Sequence, residues 1–321
     1  MNAYTVTYVH ISAQLKEIQV IKMNNYLKNN LNQKKINIYL FISLIPLLIT
    51  GFYKNGIKLY INDLVGIPGL LKPLILDILG FTIGVLVNII YEKIIKKKPG
   101  KLKHIIFDSY HPLYGLLIAS VISINTNIIL FTLVTFIMLL LSKFIKQDKV
   151  NIVALTALII IFIIHITGTF TFNNTYEKVN NLNLDALDYL IGRGSGGVNT
   201  THVILLIISL IILCNQKFYK KEIPFYSSIV FSLGIIIYSV ITNDIGKSID
   251  HIFSNGILFT YVFIATDSLT SPRTYKGKII YSIIIGLVTA GLYIIYPPLS
   301  ALGAVVIGSM CHDTIDKLCE K

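Results

Sequence analysis

The chain has 321 residues, of which 54% are hydrophobic and only 14% are charged, and its mean hydropathy is +0.71. These values exclude a soluble globular protein and predict an all-α integral membrane protein, because a soluble domain carries a larger share of charged residues. The net charge of +12 would suggest nucleic-acid binding in a soluble protein. Here the lysines lie between apolar segments, which indicates basic cytoplasmic loops instead.

The apolar segments predict about ten transmembrane helices, because several approach the ~20 residues that cross a hydrocarbon core. Residues 1–35 are polar and lack the apolar core of a signal peptide, so we expect a cytoplasmic N-terminal arm there. The predicted helices are, in chain order, residues 36–52, 74–91, 107–124, 128–144, 150–166, 200–214, 223–241, 252–265, 279–296 and 299–312.

These helices are predicted to form one membrane domain, residues 36–316, followed by a cytoplasmic tail, 317–321. Its halves, 36–166 and 200–316, would be joined by an extracytoplasmic loop, 167–199. With both termini in the cytoplasm, 22 of the 28 Lys and Arg residues lie on the inner side and 6 on the outer side. This asymmetry is the positive-inside pattern, so we expect a multi-pass protein of the plasma membrane in that orientation.

The third and eighth predicted helices are both short and both interrupted. The third contains His111-Pro112, and the eighth contains a Ser-Asn-Gly sequence and ends in a polar cluster before Pro272. Interrupted helices at matching places in two five-helix halves of opposite orientation point to a central site. The polar cluster comprises Thr266, Asp267, Ser268, Thr270 and Ser271. Local capping of a helix end is the alternative interpretation of these residues.

Three sequence blocks resemble one membrane family, which comprises the RnfD protein of the Rnf electron-transport complex and the NqrB protein of the sodium-translocating NADH:quinone reductase. The first block, 265–272, reads Ala-Thr-Asp-Ser-Leu-Thr-Ser-Pro and is similar to the family's Ala-Thr-Asp-Pro-Val-Thr-Ser-Pro. The second is the glycine-rich segment 190–205, in which Gly192, Gly196 and Thr201 match. The third joins Asp108 to the Gly-Leu-Leu-Ile-Ala sequence that begins at Gly115.

The resemblance implies an Rnf-like, redox-driven ion pump that carries electrons through FMN on the extracytoplasmic side, with sodium or proton movement coupled to them. It also implies partners, namely other membrane subunits of such a complex and the lipid bilayer. The implied FMN-binding residues are Thr169, Thr171, Gly192, Gly196 and Thr201. The implied polar ion pathway comprises Asp108, Thr266, Asp267, Thr270 and Ser271.

The flavin attachment motif departs from the family pattern. Alignment places Phe170, which has no hydroxyl, where the family has the threonine that forms a phosphoester to FMN, and Thr169 or Thr171 would have to replace it. The family's loop glutamate falls on Thr200. Two alternatives therefore stay open: a flavin-free channel or transporter for a small solute on the same scaffold, and a structural subunit without a cofactor.

The three cysteines show no CxxC spacing, so we expect reduced thiols and no metal site. They are Cys214, Cys311 and Cys319. The sequence also shows no catalytic triad, nucleotide-binding loop or zinc-ligand spacing that would indicate an independent enzyme.

Overall fold

The computed structural model describes residues 33–95, 109–144, 149–168 and 184–319, and within them the chain is helical, without strands. The helices are α1 (Gln33–Ile61), α2 (Ile67–Ile95), α3 (His111–Val121), α4 (Ile128–Ser142), α5 (Ile152–Ile166), α6 (Ala186–Leu190), α7 (Val203–Cys214), α8 (Glu222–Ile241), α9 (Ser248–Phe253), α10 (Ile257–Phe259, continued by the π-helical turn Thr260–Ile264), α11 (Tyr275–Ile295) and α12 (Pro297–Cys319).

Five of these helices are long and apolar enough to cross a membrane, namely α1, α2, α8, α11 and α12. Four more, α3, α4, α5 and α7, are apolar but have only 10–17 residues. Large apolar side chains cover the outer surface; Ile241 and Ile295, for example, are 74% and 79% exposed. An apolar exterior of this extent suits lipid rather than water. The prediction of an all-α membrane protein is therefore confirmed.

Three of the predicted helix ends are wrong. The first helix was expected to stop at Phe52, but α1 continues through the π-helical turn Tyr53–Ile57 to Ile61, so Lys54 and Lys58 are helical rather than in a loop. The second helix was expected to begin at Leu74, but α2 begins at Ile67. The last helix was expected to end at His312, but α12 extends to Cys319. Hydropathy identifies only the apolar part of a helix, and more polar turns at its ends can continue the helix.

Close backbone contact joins α2 to α3. A Cβ atom added at Gly80 would lie 2.3 Å from the carbonyl oxygen of Gly115, and one added at Gly84 would lie 2.1 Å from that of His111. Glycines four residues apart allow two helices to pack through their backbones, which is a main source of attraction between helices in lipid. This crossing fixes α3 in the interior of the helix bundle.

The two interrupted helices, α3 and α10, lie side by side in opposite directions. Tyr114, near the start of α3, contacts Asp267, which follows the end of α10. At the other end, the glycine-rich loop, residues 192–199, contacts both helices. Its Val198 amide donates to the carbonyl of Ile122, just after α3, and its Ser195 carbonyl accepts from the amide of Asn255, just before α10. Each end of this helix pair therefore carries its own polar cluster.

Candidate functional site

The Asp267 cluster lies at the end of the pair where α3 begins and α10 ends. The Asp267 carboxylate accepts one hydrogen bond from the Tyr114 hydroxyl at 2.9 Å and another from Thr270 Oγ1 at 2.8 Å. The Ser271 hydroxyl donates to the main-chain oxygen of Asp267 at 2.6 Å. Both carboxylate oxygens are thus held in place, one from α3 and one from the turn that follows α10.

Asn151 connects the same turn to α5. Its Oδ1 caps α5 by accepting from the Ala154 amide at 3.0 Å. Its Nδ2 donates to the carbonyl oxygen of Ile264 at 2.9 Å and to Thr270 Oγ1 at 3.1 Å. The Ile264 carbonyl, at the end of α10, is thereby satisfied by a side chain rather than by water, as a buried helix end requires.

Lys220 places a cation beside this carboxylate. It lies in the loop between α7 and α8, and its Nζ donates to the main-chain oxygen and the hydroxyl of Ser271 at 2.8 and 2.7 Å. Burial lowers the pKa of Lys220 from 10.5 to about 8, while the charge of nearby Asp267 acts in the opposite direction. The group is therefore mainly charged at neutral pH.

A small cavity of about 30 Å³ borders the Asp267 cluster and is lined in part by Tyr114, Asn151, Tyr219, Thr266 and Asp267. This volume has room for one or two water molecules, and its lining offers them polar partners. Thr266 and Tyr219 both donate to the carbonyl oxygen of Val262, which lies in the π-helical turn. A carboxylate, hydroxyls and space for water at a helix interruption form an environment suited to a cation or a proton.

The Lys54 cluster lies at the opposite end of the helix pair and is built on the glycine-rich loop, residues 192–199. The Val198 amide donates to the Ile122 carbonyl at 3.0 Å, and the Asn255 amide donates to the Ser195 carbonyl at 2.8 Å. Gly192 has a φ of +89°, a conformation that favours glycine. The loop is therefore a shaped segment that joins the end of α3 to the start of α10, not a flexible linker.

Lys54 extends from α1 to this loop. Its Nζ donates to the Gly194 carbonyl at 2.6 Å and to Thr201 Oγ1 at 3.1 Å. A cavity of about 390 Å³ lies beside these contacts, and its lining includes Lys54, Lys58, Arg193 and His202. Arg193 also forms an ion pair with Asp188. A cavity with several basic groups can accept an anionic ligand, and its volume is within the range of small-molecule sites.

A buried polar contact next to this cavity connects the loop to α2. Asn199 Nδ2 donates to Asp77 Oδ1 at 2.8 Å and to Ser120 Oγ at 3.1 Å. Asp77 is a buried acidic residue inside the apolar helix α2. Its amide partner explains how the carboxyl group is accommodated among apolar side chains.

The predicted site residues divide into three sets. The structure brings Thr266, Asp267, Thr270 and Ser271 together in the Asp267 cluster. Gly192 and Thr201 line the large cavity, and Gly196 packs against Thr201. The remaining predicted residues, Asp108, Thr169 and Thr171, lie outside the described residues.

Five residues that contribute to one cluster or the other were not predicted as site residues, namely Lys54, Tyr114, Asn151, Lys220 and His202. Lys54, Tyr114, Asn151 and Lys220 are distant in sequence from residues they contact, whereas His202 adjoins Thr201. Lys54 and Lys220 were counted only as loop charges. Among the described residues, no group of three or more His, Cys, Asp or Glu side chains is arranged to hold a metal ion.

Comparison with known proteins adds a family match over most of the chain. Residues 20–321 match the model of the NQR2, RnfD, RnfE family. The chain is 28% identical over 102 residues to one protein of an ion-translocating oxidoreductase complex from Methanosarcina acetivorans, a match that covers 32% of this chain and 33% of the relative. It is 27% identical over 106 residues to one protein of the proton-translocating ferredoxin:NAD(+) oxidoreductase complex of Clostridium ljungdahlii, covering 31% and 30%.

A third relative belongs to the Na(+)-translocating NADH-quinone reductase of Stutzerimonas stutzeri and is 24% identical over 151 residues, or 44% of this chain and 36% of the relative. The matched segments thus span about a third of the length of these relatives.

Proposed function

Because the chain belongs to the NQR2, RnfD, RnfE family, we propose that it is a membrane subunit of an Rnf-like, redox-driven ion-translocating electron-transport complex. The observation that carries this proposal is the pair of polar clusters at opposite ends of two antiparallel interrupted helices, α3 and α10. One cluster offers a basic cavity for an anionic cofactor, and the other offers a carboxylate for an ion. Other membrane subunits of such a complex would be its partners.

The same helix pair supports the proposed architecture of ten helices in two inverted halves. Counting α6 and α9 as parts of the connecting segments, α3 is the third and α10 the eighth apolar helix of the described chain. Both are short, and they run in opposite directions beside each other. Matching interruptions in opposite orientation are expected when two inverted repeats meet at a midplane site.

We propose the Lys54 cluster as the FMN site, because its basic side chains and its cavity of about 390 Å³ suit an anionic small molecule. Lys54, Lys58 and Arg193 would hold its phosphate, and Gly192, which packs closely on His202, would shape the wall of the cavity together with Gly196 and Thr201. Thr169 or Thr171 would supply the hydroxyl for a phosphoester bond. Bound FMN would supply the one- and two-electron chemistry that the side chains lack.

The proposed ion pathway uses the Asp267 cluster. Asp267 accepts from Tyr114 and Thr270, and these donors keep the carboxylate oriented towards the small cavity. Thr266 and Ser271 bond to main-chain oxygens of the same turn and fix its shape. Asp108, which precedes α3, would extend this polar path to the cytoplasmic surface.

The attachment of FMN can be tested directly. The chain is co-expressed with a flavin transferase, purified, denatured and examined by gel electrophoresis under ultraviolet light. We expect a fluorescent band that is lost when Thr169 and Thr171 are both changed to Val and that is retained in the matched variant Thr175→Val.

A specific observation favours the second candidate function, a flavin-free channel or transporter for a small solute. Phe170 occupies the attachment position, and Thr200 replaces the glutamate of the family pattern. Absence of fluorescence in the co-expressed wild-type chain would contradict covalent FMN attachment. It would favour this candidate or a structural subunit without a cofactor.

A further inference from the structure

The Lys220 side chain is coordinated by oxygen atoms in the manner of a bound cation. It is only 9% exposed, and its Nζ lies 2.7 Å from Ser271 Oγ, 2.8 Å from the Ser271 carbonyl oxygen and 3.4 Å from the Ser268 carbonyl oxygen. An ammonium group has three N–H donors and no acceptor. Its donors are therefore matched in number by three oxygens of a single turn.

The turn itself, residues 266–272, concentrates negative potential. Its carbonyl oxygens at Ser268 and Ser271 point to one spot, and the Ser271 hydroxyl is oriented by donating to the carbonyl oxygen of Asp267. Oxygen atoms converging in an apolar surrounding require a compensating positive group, because leaving them unpaired in a low-dielectric interior is costly.

The charges around Lys220 come from several elements. Asp267 in the turn and Asp316 on α12 attract it, whereas Arg273 and Lys278 repel it. Lys278 is itself paired with Glu222 at 3.4 Å, and Asp316 accepts hydrogen bonds from the amides of Arg273 and Thr274. Asp267, by contrast, accepts hydrogen bonds from hydroxyl and main-chain donors. Among the described residues, Lys220 is the positively charged side chain that interacts electrostatically with it.

We infer that the turn 266–272 is a binding site for a monovalent cation, and that the chain fills this site with its own Lys220 ammonium. Rings of carbonyl and hydroxyl oxygens are the ligands with which proteins replace the water around alkali cations. The tethered ammonium compensates the converging oxygens of Ser268 and Ser271, while the Asp267 carboxylate keeps its own donors, Tyr114 and Thr270. Removing the Lys220 side chain would open the site to Na⁺, K⁺ or a small alkylammonium ion.

This inference concerns the Asp267 cluster alone and does not require bound flavin. A negative result in the FMN fluorescence experiment would leave it intact. A negative result below would leave the proposed redox function intact.

The experiment measures the thermal stability of the full chain in lipid nanodiscs, by the fraction that stays monodisperse after heating. Wild type and Lys220→Ala are compared in the chlorides of Na⁺, K⁺, methylammonium and choline at one ionic strength. We expect the midpoint of wild type to be the same in all four salts. The midpoint of Lys220→Ala should be lower in choline and should rise, in a saturable manner, with at least one of the three small cations.

A matched control is Lys247→Ala, which removes an exposed lysine that forms an ion pair with Asp244. This variant should show no difference between the small cations and choline. In the double variant Lys220→Ala/Ser271→Ala, one ligand oxygen is lost, and the concentration of cation needed for half of the stabilisation should increase.

Equal midpoints of Lys220→Ala in all four salts would overturn the inference. If Lys220→Ala folds only when it is purified with a small cation, the inference is supported. If it folds in none of the salts, Lys220→Met, which keeps an apolar stem but has no N–H donor, takes its place. The absence of a cation response in that variant would equally overturn the inference.

Discussion

Tyr114 and Asp267 make the side-chain contact that joins α3 to the turn after α10, at 2.9 Å. We predict that Tyr114→Phe lowers the free energy of unfolding by about 1–2 kcal/mol, because the carboxylate loses one donor in an apolar surrounding. The measurement is the thermal midpoint of the purified chain, with Tyr275→Phe as the control, since Tyr275 is exposed on α11. Equal midpoints for the two variants would contradict the importance of this contact.

Lys220 predicts a pH dependence of stability. Its pKa is about 8 in the folded chain and 10.5 when solvated, so between these values the unfolded chain binds more protons than the folded chain. Stability from this group therefore rises with pH across that window and is constant below it.

The variant Lys220→Met removes this titration. As the pH is raised from 8 to 10, we expect the thermal midpoint of wild type to rise relative to that of Lys220→Met. A constant difference between the two proteins over that range would contradict the lowered pKa.

At the residue scale, the sequence predicted those site residues that lie close together along the chain. Thr266, Asp267, Thr270 and Ser271 are consecutive or nearly so, and their order near a proline marks a helix interruption. Tyr114 and Lys220 contact them across 153 and 51 residues of sequence. No local pattern distinguishes a lysine that folds inwards from one that faces the cytoplasm, because the difference depends on the tertiary partner.

At the scale of elements, the crossing of α2 and α3 rests on the absence of side chains at the contact. We predict that Gly80→Ala strongly reduces the yield of folded protein. The new Cβ would lie 2.3 Å from the carbonyl oxygen of Gly115, and this backbone atom cannot move aside as a flexible side chain can. The matched control is Gly291→Ala in α11, where an added Cβ would have no atom within 4 Å outside the backbone of its own helix. That variant should fold as well as wild type or better, since alanine favours helix over glycine.

The measurement for both glycine variants is the monodisperse fraction after extraction in detergent. Normal yield of Gly80→Ala would show that α2 and α3 can separate without loss of the fold.

Helix ends were harder to predict from sequence than helix positions. The apolar segments gave the location of each helix in order, but α1 runs nine residues beyond Phe52 and α12 reaches Cys319. The π-helical turns in α1 and α10 also have no sequence pattern of their own. They depend on tertiary contacts such as the bond from Tyr219 to the Val262 carbonyl, which stabilises an otherwise unfavourable turn.

At the scale of the whole molecule, the two polar clusters are separated by the length of the α3–α10 pair. Both halves of the chain contribute to each cluster: Lys54 from α1 meets Gly194 and Thr201, and Tyr114 from α3 meets Asp267. A cofactor bound at one end and an ion at the other would thus be connected through the same two helices. The orientation inferred from the basic residues would place the Lys54 cluster outside and the Asp267 cluster inside.

The most direct test of this account is the side of the membrane on which each cluster lies. Single cysteines are introduced as Lys247→Cys, near the Lys54 cluster, and as Lys221→Cys and Arg273→Cys, near the Asp267 cluster, after the native cysteines are changed to serine. All three positions are exposed in the structure. A membrane-impermeant maleimide applied to intact cells should label only Lys247→Cys, and the other two should react after the cells are permeabilised. Labelling of Lys221→Cys and Lys247→Cys from the same side would contradict the account.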